Sequence, residues 1–340
     1  MIAPVLGQSL VVGNNTPGNT TNISSGTNSF SSTVVGNQVG ASNNRLNVFN
    51  SGTVLTNSGN LTVGNSGSSN SLVISNAGSV VNRLGYISGQ FGSSNNSVLV
   101  TGTNSTWRNT GDLFVGRFGS SNSMVISNGG SVGNSVGTIG NVTDSSNNIV
   151  TVTGTGSAWT NTAELYVGYN GSSNSLVISN GGSVLNSVGY IGDASSNNIV
   201  TVTGTNSAWT NTDNLFIGNL GSDNRLVITS GGSVVNSNGY IGYAFGSTNN
   251  SVLVDGLGSS WTNSGELIIG YDDSDNSLVI TNQGSVVVLN TNAGIGFSAN
   301  SSNNSVLVTG TNSTLNVAGD LGVGSAGSSN SLTISDGGVW

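Results

Sequence analysis

The sequence predicts an all-β chain wound as a parallel β-helix, or β-solenoid, and three observations carry that reading. Asn returns at a fixed interval. Three short apolar pieces lie between one such Asn and the next. Gly, Asn and Ser separate the pieces along most of the 340 residues.

The interval comes first. A unit opens at Asn44, Asn70, Asn96, Asn122, Asn148, Asn174, Asn198, Asn224, Asn250, Asn276, Asn304 and Asn330. The spacing is 26 residues, shortened to 24 after Asn174 and lengthened to 28 after Asn276. A fixed period of this size signals a solenoid, a propeller or an array. Two unit types alternate. One reads N-S-L-V-I-S-N-G-G-S-V-x-N-S-x-G-Y-I-G. The other reads N-x-V-x-V-T-G-T-x-S-x-W-T-N-T-x-x-L-x-V-G.

The apolar pieces define the elements. From Asn174 they are Leu176–Ile178, Ser183–Leu185 and Tyr190–Gly192. From Asn198 they are Ile199–Val202, Ala208–Thr210 and Leu215–Gly218. Their alternation argues strands, and pieces this short cannot be helices. A propeller needs four strands per blade, whereas a pair of units supplies six pieces. The two unit types share their opening Asn, closing Gly and apolar offsets, so each is a coil of its own. The two-residue length changes are expected between the closing Gly and the next Asn. Three strands per coil and 11–12 coils follow, a rod of roughly 50–60 Å at ~4.8 Å per coil. The repeats form one domain over residues 44–340, whose last coil is incomplete, after residues 1–43, which match weakly and read as a degenerate N-terminal coil or cap or as an inter-subunit segment.

Stacked coils turn equal offsets into columns. The first column is Asn70, Asn96, Asn122, Asn148, Asn174, Asn198, Asn224, Asn250, Asn276, Asn304 and Asn330. Stacked amides can hydrogen-bond up such a column, and Asn also tolerates left-handed turn geometry. A second column runs Asn82, Asn109, Asn134, Asn161, Asn186, Asn211, Asn236 and Asn263, read as another turn ladder. Trp107, Trp159, Trp209 and Trp261 stand level with Val80, Val132, Val184 and Val234, so they are expected in the core. A further column is read as Tyr86, Asp112, Thr138, Glu164, Tyr190, Asn214, Tyr240, Glu266, Gly294 and Asp320. The Ile or Leu that follows each of most of them must point inward, so this column points out. It is a solvated face or a strip for glycans or cations.

Composition narrows the function. The chain has 13 acidic residues, five arginines, no Lys, no His and no Cys, for a net charge of −8. A nucleic-acid face needs clustered Lys and Arg to displace counterions, and a basic membrane-binding patch needs the same. Without Cys there are neither disulfides nor thiolate metal sites. The Asn, Ser, Thr and Gly richness leans towards a bacterial surface or secreted protein. No apolar run reaches the length of a membrane span. The start, MIAPVLGQSL, does not read as a signal peptide.

Catalysis has little to build on. General acid–base work needs paired titratable groups. The one mixed cluster is Arg83, Arg108 and Asp112, read as a surface ion pair, and no base sits beside the Ser and Thr residues. No enzyme and no resident cofactor are expected. Asp272, Asp273 and Asp275 crowd one turn and form a weak calcium candidate. A regular Thr-x-Thr array for ice is absent, since Thr151–Thr153 and Thr201–Thr203 are not repeated in the sister units.

GGSVxNSxGYIG followed by VTVTGTxSxWTNTxxLxVG resembles the autotransporter (type V secretion) and PEP-CTERM-associated repeat of bacterial surface and secreted proteins. The resemblance covers about residues 44–340. It implies a right-handed parallel β-helix passenger outside the cell and carries no catalytic residues. No translocator barrel or sorting tail accompanies it. At the ends, NSLTISDGGVW (Asn330–Trp340) lacks its final strand, and Ser9–Gly13 supplies a stray one. A head-to-tail contact of chains into a fibre is expected from that match. The expected function is an extracellular stalk or fibre subunit, structural or adhesive. The alternatives are a glycan-binding adhesin face and, behind it, a carbohydrate-active enzyme.

Overall fold

The computed structural model describes residues 7–340. It is an all-β parallel solenoid of about 13 turns, with three strands per turn and no helix among the described residues. The chain divides into two compact units at Ala163 and Glu164. Each is a stack of the same coil.

One coil shows why these residues form these elements. In Ser175–Ser179, Leu176 and Ile178 are buried, while Ser175, Val177 and Ser179 face outward. In Ser183–Asn186 the buried pair is Val184 and Asn186. In Gly189–Ile191 it is Gly189 and Ile191, with Tyr190 outside. Each strand thus alternates with a period of two, and the chain turns a corner before the next. One coil has too little apolar surface to stand alone. Stacking buries its Val, Leu and Ile against the same residues above and below, about 1.5–3 kcal/mol for each side chain.

Within each unit the strands pair in parallel and join equal positions of adjacent coils. Leu176 faces Val200, then Leu226, then Val252. Trp107 lies between Val80 and Val132, and Trp209 between Val184 and Val234. All four repeat tryptophans are fully buried, as their alignment with valine requires.

The opening Asn column is a hydrogen-bond ladder. In the first unit the backbone N–H of Asn44, Asn70, Asn96 and Asn122 donates to Oδ1 of the next Asn at 2.9–3.0 Å. In the second unit Asn174, Asn198, Asn224, Asn250, Asn276 and Asn304 repeat this bond at 2.9 Å, ending on Asn330. The left-handed residue is the one before each ladder Asn: Asn197 has φ 60°, Asn249 57° and Asp275 62°. The ladder amides from Asn44 to Asn304 are buried and engaged.

The coils begin earlier than the repeat suggests. Asn19 donates its backbone N–H to Asn44 Oδ1 at 2.9 Å, one rung before the expected start. Thr20–Ile23, Thr27–Phe30 and Thr33–Val35 pair with the coil from Asn44, and Leu10–Val12 pairs with Thr33–Val35. Their sequence, TTNI and TNSF, lacks the Val and Ile alternation that marks the later strands. This accounts for about 13 turns where 11–12 are expected.

One length change falls as expected and the other does not. The two-residue deletion after Asn174 lies in the short turn between Gly192 and Asn198. The insertion after Asn276 lies in Leu289–Asn292, ahead of the strand Ala293–Ile295, in a connection that has two residues in the earlier units of the same type, such as Arg83 and Leu84.

Candidate functional site

The second Asn column is internal. It closes the middle strand of the coils that open at Asn70 to Asn250, and its members are nearly inaccessible. Asn186 Nδ2 donates to Asn211 Oδ1 at 2.6 Å, while the Trp209 indole N–H donates to Asn186 Oδ1 at 2.7 Å. The same triad joins Trp261, Asn236 and Asn263, as well as Trp107, Asn82 and Asn109, and Trp159, Asn134 and Asn161. The expected turn ladder is therefore a core clamp. The indole brings a donor into the interior, and the amide pair satisfies it. Gly189 is needed beside it, because a Cβ there would lie 2.9 Å from the Trp209 ring and 2.3 Å from Asn211 Oδ1.

The outward column on the third strand is different from the one expected. Tyr86 pairs with Phe114, and Phe114 with Thr138. Tyr166 pairs with Tyr190, which is followed by Phe216, Tyr240, Ile268, Gly294 and Gly322. Asp112, Glu164, Asn214, Glu266 and Asp320 stand two residues earlier, on the turn that leads into the strand. The reason lies in the first inward position. It is Leu113 in one unit type and Gly85 in the other, so the inward residue after Tyr86, Ile87, matches Val115.

Aromatic rings thus run uninterrupted across four coils of the second unit. Tyr166 stacks on Tyr190 at 4.8 Å, Tyr190 on Phe216 at 5.0 Å, and Phe216 on Tyr240 at 5.0 Å. A second column follows the closing glycines: Tyr169, Asp193, Asn219, Tyr243, Tyr271 and Phe297. Tyr169 meets Tyr166 edge-on at 5.1 Å, and Tyr243 meets Phe216 at 5.1 Å and Tyr240 at 5.0 Å. Tyr243, Tyr271 and Phe297 then stack on one another at 4.9 and 5.0 Å. In the first unit, the Arg117 guanidinium lies 4.5 Å from the Tyr86 ring centre and 4.8 Å from that of Phe118.

Carboxylates flank the rings. Burial chiefly, then Asp193 and Glu164, raise the Tyr190 phenol above its ordinary value. Tyr166 is raised further, first by burial and then by Tyr190 and Glu164. For Tyr240 the causes are burial, then Glu266 and its tyrosine neighbours. Asp193 is itself raised by burial, opposed by the Asn219 amide that donates to it at 2.7 Å. The rings cover one another's faces, so their phenol edges and the carboxylates are what this surface offers a ligand.

The turn aspartates do not converge. Asp272 accepts from Ser298 Oγ at 2.6 Å and Asn300 Nδ2 at 3.2 Å. Asp273 accepts from the backbone N–H of Gly246 and, at 2.7 Å, from that of Ser274. Asp275 is exposed at the left-handed turn position. Asp272 ties the turn to the following coil and Asp273 ties it to the preceding one, and no group of three His, Cys, Asp or Glu that could hold a metal occurs among the described residues. Asp112 Oδ1 accepts from the Val136 N–H at 3.1 Å, tying one turn to the next.

Sequence reading missed Phe114, Tyr166 and Phe216 as stack members, and Tyr169, Tyr243, Tyr271 and Phe297 as the flanking column. The signal was present: an aromatic or long apolar residue is the middle letter of the closing L-x-V-G or G-Y-I-G in most units.

Fold and site define a β-solenoid with polar and aromatic ladders along its coils. In sequence the chain matches no family model and no curated protein. In structure it is similar to the TibC-catalysed, hyper-glycosylated TibA fragment, with a TM-score of 0.50, 14% identity and 98% of each chain covered. That likeness concerns the fold.

Proposed function

We propose that the chain is an extracellular structural and adhesive β-solenoid, a stalk or fibre element of a bacterial surface or matrix. One observation carries the reading. Within each unit the Asn ladder is satisfied by the same column of the neighbouring coil, so the sequence encodes stacking itself. The composition, rich in Asn, Ser, Thr and Gly and free of Cys, fits a bacterial exterior. The resemblance to the autotransporter and PEP-CTERM-associated repeat supports it too. In this reading the chain is not an enzyme, and its contacts are with other chains or with surface glycans. Antibodies against the purified chain should label intact producing cells or their matrix. Label that appears only after the cells are opened overturns the proposal.

A second reading, a glycan-binding face, is favoured by the phenol edges of Tyr166, Tyr190 and Tyr240 beside Glu164, Asp213 and Glu266. A glycan array separates the two. Saturable binding lost in Tyr190→Phe supports the adhesin, and an empty array leaves the scaffold.

A further inference from the structure

The outward ring column stops short. After Tyr166, Tyr190, Phe216 and Tyr240 comes Ile268, and the next two rungs are Gly294 and Gly322. A cavity of about 310 Å³ opens where those two side chains would stand. This is within the range of small-ligand sites. Ile268 and the glycine backbones line it, with the stacked rings of Tyr271 and Phe297 beside them and the carboxylates of Glu266 and Asp320 also at its edge. Both acids are anchored through their backbone. Glu266 N–H donates to Asn238 Oδ1 at 2.8 Å and Asp320 N–H to Asn292 Oδ1 at 2.9 Å.

The protein already fills a related position elsewhere. On the first unit, the planar guanidinium of Arg117 rests against the rings of Tyr86 and Phe118. Aromatic faces attract such a cation, and carboxylates pair with it two bonds at a time. At the empty rungs both partners are present and a cation is not supplied by the lining residues.

We propose that this cavity binds a planar guanidinium or amidinium group, presented by an arginine side chain of a partner polypeptide. The flat group occupies the vacant rungs above Ile268, with its edge towards Glu266 and Asp320. The group meets Phe297, the end ring of the flanking stack, as Tyr240 meets Tyr243 of its own coil.

Benzamidine is the probe, titrated into the full chain by calorimetry, with neutral benzamide as control. The expected result is one saturable site for benzamidine and none for benzamide. Glu266→Gln with Asp320→Asn should weaken binding about tenfold or more, the loss expected when about 1.4 kcal/mol of charge pairing is removed. Gly294→Tyr should abolish binding by completing the column. A Cβ at Gly294 meets nothing closer than 4.0 Å and the backbone there is not left-handed, so the variant is expected to fold. If circular dichroism shows that it does not, the exposed double carboxylate variant decides alone. N-acetyl-arginine amide should displace benzamidine, and free arginine, whose own carboxylate meets two others, should do so less well. Equal binding of benzamide, no saturable site at millimolar benzamidine, or unchanged binding in the carboxylate variant each overturns the proposal. Free arginine binding more tightly than the amide overturns the polypeptide source.

Discussion

The indole N–H of Trp209 donates to Oδ1 of Asn186 at 2.7 Å, from one coil to the coil before it. That bond belongs to a set of four positions that change together. At the last repeat, Val288 replaces the first Asn, Ala293 the glycine, Leu315 the Trp, and Val317 the second Asn. The polar clamp and the apolar one are alternative fillings of one space. Where they meet, Asn263 Nδ2 is left without a partner, as is Asn57 Nδ2 at the other end of the column.

Asn186→Val alone leaves the Trp209 donor and the Asn211 oxygen unpaired inside the core, at about 1–3 kcal/mol for each group. Trp209→Leu alone opens a cavity costing about 2–4 kcal/mol. Asn186→Val, Gly189→Ala, Trp209→Leu and Asn211→Val together reproduce the last repeat. Their combined loss should fall below the sum of the single losses by at least ~2 kcal/mol, since contacting residues do not add. Urea denaturation of the singles and the quadruple variant measures this. A strictly additive result would show that the four positions are independent.

Gly192 and Gly246 test what a left-handed glycine contributes. Gly192 has φ 72°, and a Cβ there would lie 2.2 Å from the amide nitrogen of Asn224, inside the ladder. Gly246 has φ 93° with open space around it. Gly246→Ala should lose only the conformational term, about 1 kcal/mol. Gly192→Ala should lose that and displace a buried amide, for about 3 kcal/mol or more in total. Equal losses on urea denaturation would remove the ladder from the explanation.

How much of this was legible follows from period and register. Burial of Trp209 was readable, because the following Asn211 aligns it with Val184. The ring column was legible only from the closing motif, and the apolar alternation alone misplaces it. Inward and outward faces repeat every two residues, so sliding Leu113 from beside Gly85 to beside Ile87 leaves every side chain on its proper face. The slip exchanged Phe114 for Asp112 and Phe216 for Asn214 without breaking the alternation. The shared closing glycine, Gly192 against Gly218, marks the true register, and the size match of Gly85 against Leu113 and Trp107 is its reason in the packing. Asn19 escaped for a related reason, since the strand it opens has Thr and Asn where later coils have Val and Ile.

Burial and acids raise the Tyr190 phenol, which sets the sign of its effect at high pH. Above the ordinary tyrosine value near pH 10 the unfolded chain loses this proton while the folded chain keeps it. The unfolded state then binds fewer protons, and stability falls as pH rises further. Tyr190→Phe should flatten that fall. Asp193 acts at the other end. Its raised value means that the folded state holds a proton that the unfolded state releases above about pH 4. Stability contributed by Asp193 is therefore greatest in acid and declines as pH rises through its window. Asp193→Asn should stabilise the chain at pH 7 and lose that advantage at pH 3. Melting temperatures of both variants across pH provide the check, and a stabilisation by Asp193→Asn that grows towards pH 3 would reverse the assignment.

Phe216 stands at the centre of the ring column, parallel to Tyr190 and Tyr240 at 5.0 Å from each and edge-on to Tyr243 at 5.1 Å. Phe114 in the first unit has one such partner among the described residues, Tyr86 at 5.6 Å. A leucine at either site retains most of the apolar area and removes the ring. The loss then reports ring–ring contact, about 0.5–1.5 kcal/mol for each pair beyond burial. Three contacts against one predict that Phe216→Leu costs about two to three times as much as Phe114→Leu, while Phe216→Tyr is close to neutral. Native-state hydrogen exchange suits the comparison, because a solenoid opens locally and the two units need not unfold together. The Gly218 N–H, bonded to Ile191 O at 2.8 Å, reports on the Phe216 coil, and the Gly116 N–H, bonded to Ile87 O at 2.9 Å, reports on the Phe114 coil. Equal loss of protection at the two amides would mean that the rings act only as buried surface, and that the column adds nothing as a stack.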